Sequence, residues 1–391
     1  MIPTESTSAA GERSSPAVLH DCRVAIVHDY LNQPGGAEKV VEVFVEMFPG
    51  APVFTSVYDP DAMPAVWRDV DVRTSFMQRL GPRLKVAKAL LPLYPLAFES
   101  FDLSEYDLVL SSTTAFAKGV LTRPGTAHVC YCNNPTRFLW TYGDYVARES
   151  LPPGSRFVLP VVASALRVWD FAAAQRVDHF VAGSHNAARR IAKYYRRDSE
   201  VLQAPIDVNA YTPAPDEVAD YFLVVSRLQS YKRLDLAVEA CSRLNVPLLV
   251  IGDGPDRPRL ESLAGPSVRF LGRVSNEEAV HHLARCRALI FPGEEDFGLT
   301  PLEAQASGRP VIALRRGGAL ETVREGETGV FFDEASIESL IEALRTFHDD
   351  FNPQVLRANA ARFDKQPFKQ RLETILAVAV SGERETAGVV R

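Results

Sequence analysis

Between residues 221 and 314, short β-branched runs alternate with longer amphipathic stretches, and few architectures accept that rhythm. Tyr221–Val225, Pro247–Ile251, Val268–Leu271, Ala288–Phe291 and Pro310–Leu314 read as strands. Leu234–Leu244, Pro258–Leu263, Asn276–Arg285 and Pro301–Ser307 carry helical spacing between them. Apolar strands separated by helices imply a parallel sheet covered on both faces. The first half repeats the theme less regularly. Arg23–His28 leads into Gly35-Gly36 and an apolar-periodic segment from Ala37 to Met47, the opening of a parallel α/β unit. Val53–Val57, Leu108–Ser111, His128–Cys132 and His179–Ala182 are further strand candidates. Pro and acidic residues near Thr212-Pro-Ala-Pro215 interrupt the pattern and mark a boundary. A tail over residues 1–20, rich in Ser, Thr, Pro and Gly, reads as disordered. The expected architecture is two Rossmann-like parallel-sheet domains, 21–212 and 213–365, facing each other across a cleft. Ligands of such sheets bind at the carboxyl ends of the strands, so the cleft suits a two-part substrate.

Composition narrows the chemistry. The chain has 391 residues and 43 Lys+Arg against 49 Asp+Glu, a net charge of -6 that gives no footprint for nucleic acid. Its five cysteines, Cys22, Cys130, Cys132, Cys241 and Cys286, contain no CxxC pair and no zinc spacing, which fits reduced thiols in a cytoplasmic protein. No apolar run is long enough for a transmembrane helix, and the N-terminal residues lack the pattern of a secretory signal.

Two constellations stand where strands end. Arg227 and Lys232 follow the strand Tyr221–Val225, and a guanidinium fork beside an ammonium suits a diphosphate, although a solvated basic helix start is as good a reading. Gly293-Glu-Glu-Asp-Phe-Gly-Leu-Thr-Pro-Leu-Glu303 follows Ala288–Phe291 and opens a helix at Pro301. Gly298 permits close backbone approach, so the amides around Phe297, Gly298 and Leu299 can face an anion. Glu295 and Glu303 are carboxylates suited to hydroxyl groups, and Thr300-x-x-Glu303 also has the form of a capping box.

Arg227, Lys232 and Glu295-x7-Glu303, with Gly252-Asp-Gly-Pro255 and Gly308-x-Pro310-Val-Ile-Ala, resemble the donor domain of retaining GT-B glycosyltransferases of family 4. Gly35-Gly36-Ala37-Glu38 is similar to that family's glycine-rich loop facing the donor diphosphate. Cys130-Tyr-Cys-Asn-Asn-Pro-Thr-Arg-Phe-Leu-Trp140 resembles a branch rich in mannosyltransferases of polysaccharide and O-antigen assembly. The resemblance implies that Arg227 and Lys232 hold the diphosphate and that Glu303 binds ribose. Glu295 with the Phe297-Gly298-Leu299 backbone would hold the donor sugar. It implies catalysis by Glu295, Arg227 and Lys232 without cofactor or metal, and no DxD-like acidic pair stands in a suitable context. The partners it implies are a nucleotide-sugar, GDP-mannose as first guess, and a glycan or lipid-linked acceptor. One departure matters: that branch has a histidine where this chain has Asn133, which cannot carry a proton. His128, Asn133 and Arg137 are the acceptor-side candidates; local packing is the alternative for Arg137, and a structural place is the alternative for His128, which lies on the opposite strand face from Asn133. Gly317-Gly318-Ala-Leu-Glu321 resembles a family loop near the donor.

Residues 72–98 contain five cations, Arg73, Arg79, Arg83, Lys85 and Lys88, among apolar side chains and no acid. A core segment with solvated cations and a peripheral contact with an anionic membrane leaflet both fit it. The C-terminal residues 366–380 have the spacing of a helix crossing back to the first domain, and 381–391 read as frayed. A nucleotide-sugar epimerase and a non-catalytic nucleotide-sugar-binding protein are the competing expectations.

Overall fold

The computed structural model describes residues 16–81, 90–141, 155–214 and 217–389. The first sheet holds seven parallel strands in the order β3-β2-β1-β4-β5-β6-β7. They are β1 Val24–His28, β2 Val53–Thr55, β3 Val72–Thr74, β4 Leu108–Thr113, β5 Ala127–Cys132, β6 His179–Ala182 and β7 Glu200–Val201. The second sheet holds six in the order β10-β9-β8-β11-β12-β13. They are β8 Phe222–Val225, β9 Leu248–Ile251, β10 Val268–Gly272, β11 Leu289–Phe291, β12 Val311–Leu314 and β13 Gly329–Phe332. Every residue of β1, β4, β5 and β12 is buried, as continuous apolar strands between two helical layers require. The two-sheet architecture matches the expectation. Each sheet reverses its strand order beside β1 and β8, and loops leaving the carboxyl ends there form the cleft.

Two stretches differ from the sequence reading. Within the expected tail of 1–20, Pro16–Leu19 forms a helical turn, and Leu19 is buried in the main core. The C-terminal helix runs Lys365–Val389 rather than fraying after 380. Its start belongs to the second half, but its body packs on the helix Gly36–Met47, on β5 and on the Pro16–Leu19 turn. Phe368 anchors it, with ring centroids 6.5 Å from Phe44 and 5.8 Å from Tyr131. Such aromatic contacts add to an already large apolar burial.

The chain therefore crosses between the sheets twice, and the crossings are joined. Ile206 N donates to Phe363 O at 2.9 Å, and Lys365 N donates to Ile206 O at 2.9 Å. Val208 N bonds the Asp364 carboxylate at 3.0 Å, and Arg357 donates to the carbonyls of Tyr211, Ala306 and Val208.

Candidate active site

The loop after β11 and the turn after β8 meet at the carboxyl edge of the second sheet. Lys232 Nζ lies 2.6 Å from Glu295 Oε1, with both side chains mostly buried. Arg227 is exposed, and its guanidinium has no side-chain partner among the described residues. One cation is thus fixed and the other free to reach a ligand. The Gly252-Asp-Gly254 turn braces this loop: Leu228 N donates to Asp253 O at 3.0 Å and Asp256 N to Leu228 O at 3.1 Å.

Gly298 has φ +87, a conformation L side chains rarely adopt, and is the N-cap of the helix Leu299–Ala306. The helix starts two residues before Pro301, so Thr300 lies inside it and no side chain caps it. The expected capping box is absent. The first amides of this helix remain directed out of its N-terminal end, the polarity that favours an anion. Phe297 is buried against Phe363, with centroids 5.6 Å apart, which fixes the loop from below. Gly318 fixes it from the side: a Cβ there would collide with the Phe297 backbone, and Gly318 N donates to Glu295 O at 2.8 Å.

Glu303 instead reaches across the cleft. Lys39 Nζ, from the first helix of the other domain, lies 2.5 Å from its Oε1, and the charge of Glu303 holds Lys39 above the usual lysine pKa. Tyr211, at the domain crossing, feels the same carboxylate; burial first, then the charge of Glu303, raises the phenol pKa. Gly35 caps the helix Gly36–Met47, and a Cβ at Gly36 would stand 3.2 Å from Leu299 Cδ1. Gly36 and Leu299 therefore face each other across the cleft at close range.

Beneath Gly35, His28 Nε2 lies 3.4 Å from Glu38 Oε1 and Nδ1 lies 3.1 Å from Ser112 O. Burial opposes protonation of His28, but the hydrogen bond and charge of Glu38 outweigh it and raise the imidazole pKa. Next to it the buried Asp29 carboxylate accepts the amides of Thr114, Ala115, Phe116 and Ala117 at 2.6–2.9 Å. That carboxylate shapes the loop after β4 by satisfying amides that would otherwise be buried unpaired.

At the cleft end of the first sheet, Asn133 follows β5 and donates to Ser112 Oγ at 3.1 Å. Arg137 opens the short helix Arg137–Trp140 and donates to Asp296 at 3.1 Å. His128 is a correction to the sequence reading. It is fully buried within β5, 2.9 Å from Ser111 Oγ, and burial with the charge of Arg176 pushes its pKa down to about 3. It has no access to the cleft and holds a packing position.

Asp296, Lys39, Tyr211 and Asp29 have no role in the sequence reading. Asp296 takes hydrogen bonds from Asn134 at 2.9 Å, from Arg137 and from Arg190 of the helix His185–Tyr195. Glu321 caps that same helix across the cleft, accepting from His185 N at 3.1 Å. Asp29, an acid placed straight after a β-branched strand, gave a local signal; Asp296, Lys39 and Tyr211 depend on an encounter between domains.

Residues 212–363 match the family model described as Glycosyl transferases group 1. Sulfoquinovosyl transferase SQD2 of Arabidopsis thaliana is 32% identical over 156 residues, 38% of this chain and 31% of that protein. Alpha-1,3/1,6-mannosyltransferase ALG2 of Dictyostelium discoideum is 29% identical over 206 residues, 44% of this chain and 49% of that protein. The matches thus span 31% and 49% of the length of these two curated relatives. The crystal structure of Anabaena Alr3699/HepE in complex with UDP and glucose superposes with a TM-score of 0.67 at 17% identity, covering 91% of this chain and 99% of that one. At that identity the likeness shows the fold. The chain thus has a GT-B fold of two Rossmann-like domains, and residues 212–363, which form its second half, are similar to the glycosyl transferases of group 1.

Proposed function

We propose that this protein is a retaining family 4 glycosyltransferase that moves a sugar from a nucleoside-diphosphate donor to a glycan or lipid-linked acceptor. The observation that carries the reading is the Lys232–Glu295 pair at 2.6 Å beside the exposed Arg227. It puts two cations and a carboxylate at one strand edge, where a diphosphate and its sugar would lie side by side. Lys232 and Arg227 would take the charge that develops on the leaving diphosphate, which needs no metal ion. Glu303 would accept the ribose hydroxyls, Glu295 and the 297–299 backbone would orient the sugar, and Gly35-Gly36 would admit the diphosphate close to the first helix. The acceptor would enter past Asn133 and Arg137 and attack the face that the diphosphate leaves, with a donor phosphate oxygen drawing off the proton. Mannose is the first donor sugar to test, and the mannosyltransferase among the relatives supports it.

Peripheral membrane contact through 72–98 belongs to the same proposal. Residues 82–89, with three of its cations, lie outside the described residues. On the flanks Phe76, Leu80 and Leu96 are 39%, 49% and 59% exposed, whereas Met77, Tyr94 and Phe98 are core. No helix among the described residues is long and apolar enough to cross a membrane.

A thermal-shift screen of GDP-, UDP- and ADP-sugars tests the donor, because a ligand of the native state raises the melting temperature. A shift with one nucleotide class, and release of free nucleoside diphosphate only when acceptor is added, is the expected result. No shift with any of them refutes the reading, and turnover without an acceptor selects an epimerase instead.

A further inference from the structure

The geometry points to an anion cradle formed by Arg137, Arg190 and Asn134, for which the Asp296 carboxylate and a phosphoryl group of the acceptor compete. The inference rests on the proposed transferase reading for the word acceptor, and on the structure alone for the cradle.

All three groups converge as donors. Arg137 Nη2 lies 3.1 Å from Asp296 Oδ1, Asn134 Nδ2 lies 2.9 Å from Oδ2, and Arg190 Nη1 also donates to Oδ1. The amide is fixed in its orientation, because Asn134 Oδ1 accepts from Arg190 at 3.1 Å and so turns the NH2 toward the anion. Asn134 is only 4% exposed, a polar group buried where its one outlet is that anion. The guanidiniums are reachable, at 37% exposure for Arg137 and 20% for Arg190.

Charge leaves the cluster incomplete. Two guanidiniums face one carboxylate, while the neighbouring Lys232 and Glu295 already neutralise each other. Arg189 and Lys193 on the same helix as Arg190 add positive charge, and Glu321 at its first turn is engaged by backbone amides. A phosphoryl group offers more oxygens and up to two charges to the same forks, so it matches the two cations better than a carboxylate does. Position gives the ligand its identity. Asp296 stands between Glu295 and Phe297, so an anion held in its place sits beside the proposed donor sugar, on the first-domain side. A plain tie between domains accounts for the contacts but not for the second cation, and it makes a different prediction.

The test titrates inorganic phosphate into the full chain by calorimetry, and in a second arm floats the protein with phosphatidylcholine vesicles made with and without phosphatidic acid. Arg190→Gln is expected to weaken phosphate binding roughly ten- to hundredfold, the effect of losing a charge-assisted bond. Asp296→Asn, which is isosteric, is expected to strengthen it by removing the competitor. These opposite signs in solution identify a free phosphorylated acceptor; the same opposite signs only on phosphatidic acid vesicles identify a lipid-linked one. Equal signs for both variants, or no effect of either in both arms, overturn the cradle, since a tie is broken alike from either end. Far-UV circular dichroism confirms that each variant is folded. If no nucleotide-sugar binds yet the opposite signs persist, the transferase reading fails and the cradle stands.

Discussion

Replacing Lys232 with alanine separates the chemistry proposed for the cleft from mere packing. Its ammonium lies 2.6 Å from Glu295 and only 12% of the side chain is exposed, so removal would act on the proposed diphosphate contact and on the partner carboxylate together. Removing one fixed group that stabilises developing charge costs about 2–4 kcal/mol in the transition state. At 1.36 kcal/mol per decade, kcat/KM should fall roughly 30- to 1,000-fold. The assay is release of free nucleoside diphosphate with the donor that the thermal-shift screen identifies. A double-mutant cycle with Glu295→Gln then assigns the loss. If Lys232 holds the diphosphate and Glu295 the sugar, the two losses approach additivity. If Lys232 serves only to place Glu295, the double variant is no worse than the poorer single one. Turnover within a few-fold of the parent, in a Lys232→Ala protein that melts normally, would refute the reasoning.

Two further predictions concern stability. The His128 imidazole has its folded pKa depressed to about 3 while the unfolded value is near 6.5, so the unfolded state binds the extra proton. Stability is therefore full above about pH 6.5 and is lost as pH falls from there toward 3, by on the order of 5 kcal/mol at the limit. His128→Gln should flatten that acid limb in urea titrations at stepped pH; an unchanged slope contradicts the assignment. Asp29→Ala leaves four amides without their shared acceptor and should cost about 3 kcal/mol, read as a lowered urea midpoint at constant slope. A loss below the measurement error would show that water replaces the carboxylate.

What the sequence made legible follows physical lines. Central strands such as β1, β8 and β12 lie between helical layers and must be continuously apolar, which one chain displays directly. The strands that were missed, β3, β7 and β13, all lie at sheet edges, where short, half-buried segments need no such run. Lys232 and Glu295 were recognisable because each follows a strand end. Lys39 and Glu303, 264 positions apart, acquire their pairing only when the domains meet. The false capping box has a local cause: Gly298 takes positive φ and begins the helix early, so Glu303 faces the other domain instead of its own N-terminus.

The joined crossings at Ile206–Val208 and Phe363–Lys365 have a kinematic consequence. Two backbones that hydrogen-bond each other where they pass between bodies act as one pin, because sliding the bodies would tear the bonds while turning them need not. Sliding one sheet along the other would break these bonds, so turning about the crossings is the motion they resist least. Tyr211 stands just beyond the pin and feels the charge of Glu303 inside the cleft, so the crossings lie close to the site. A turn at the pin therefore acts over a short lever arm on the Lys39–Glu303 pair that spans the two domains.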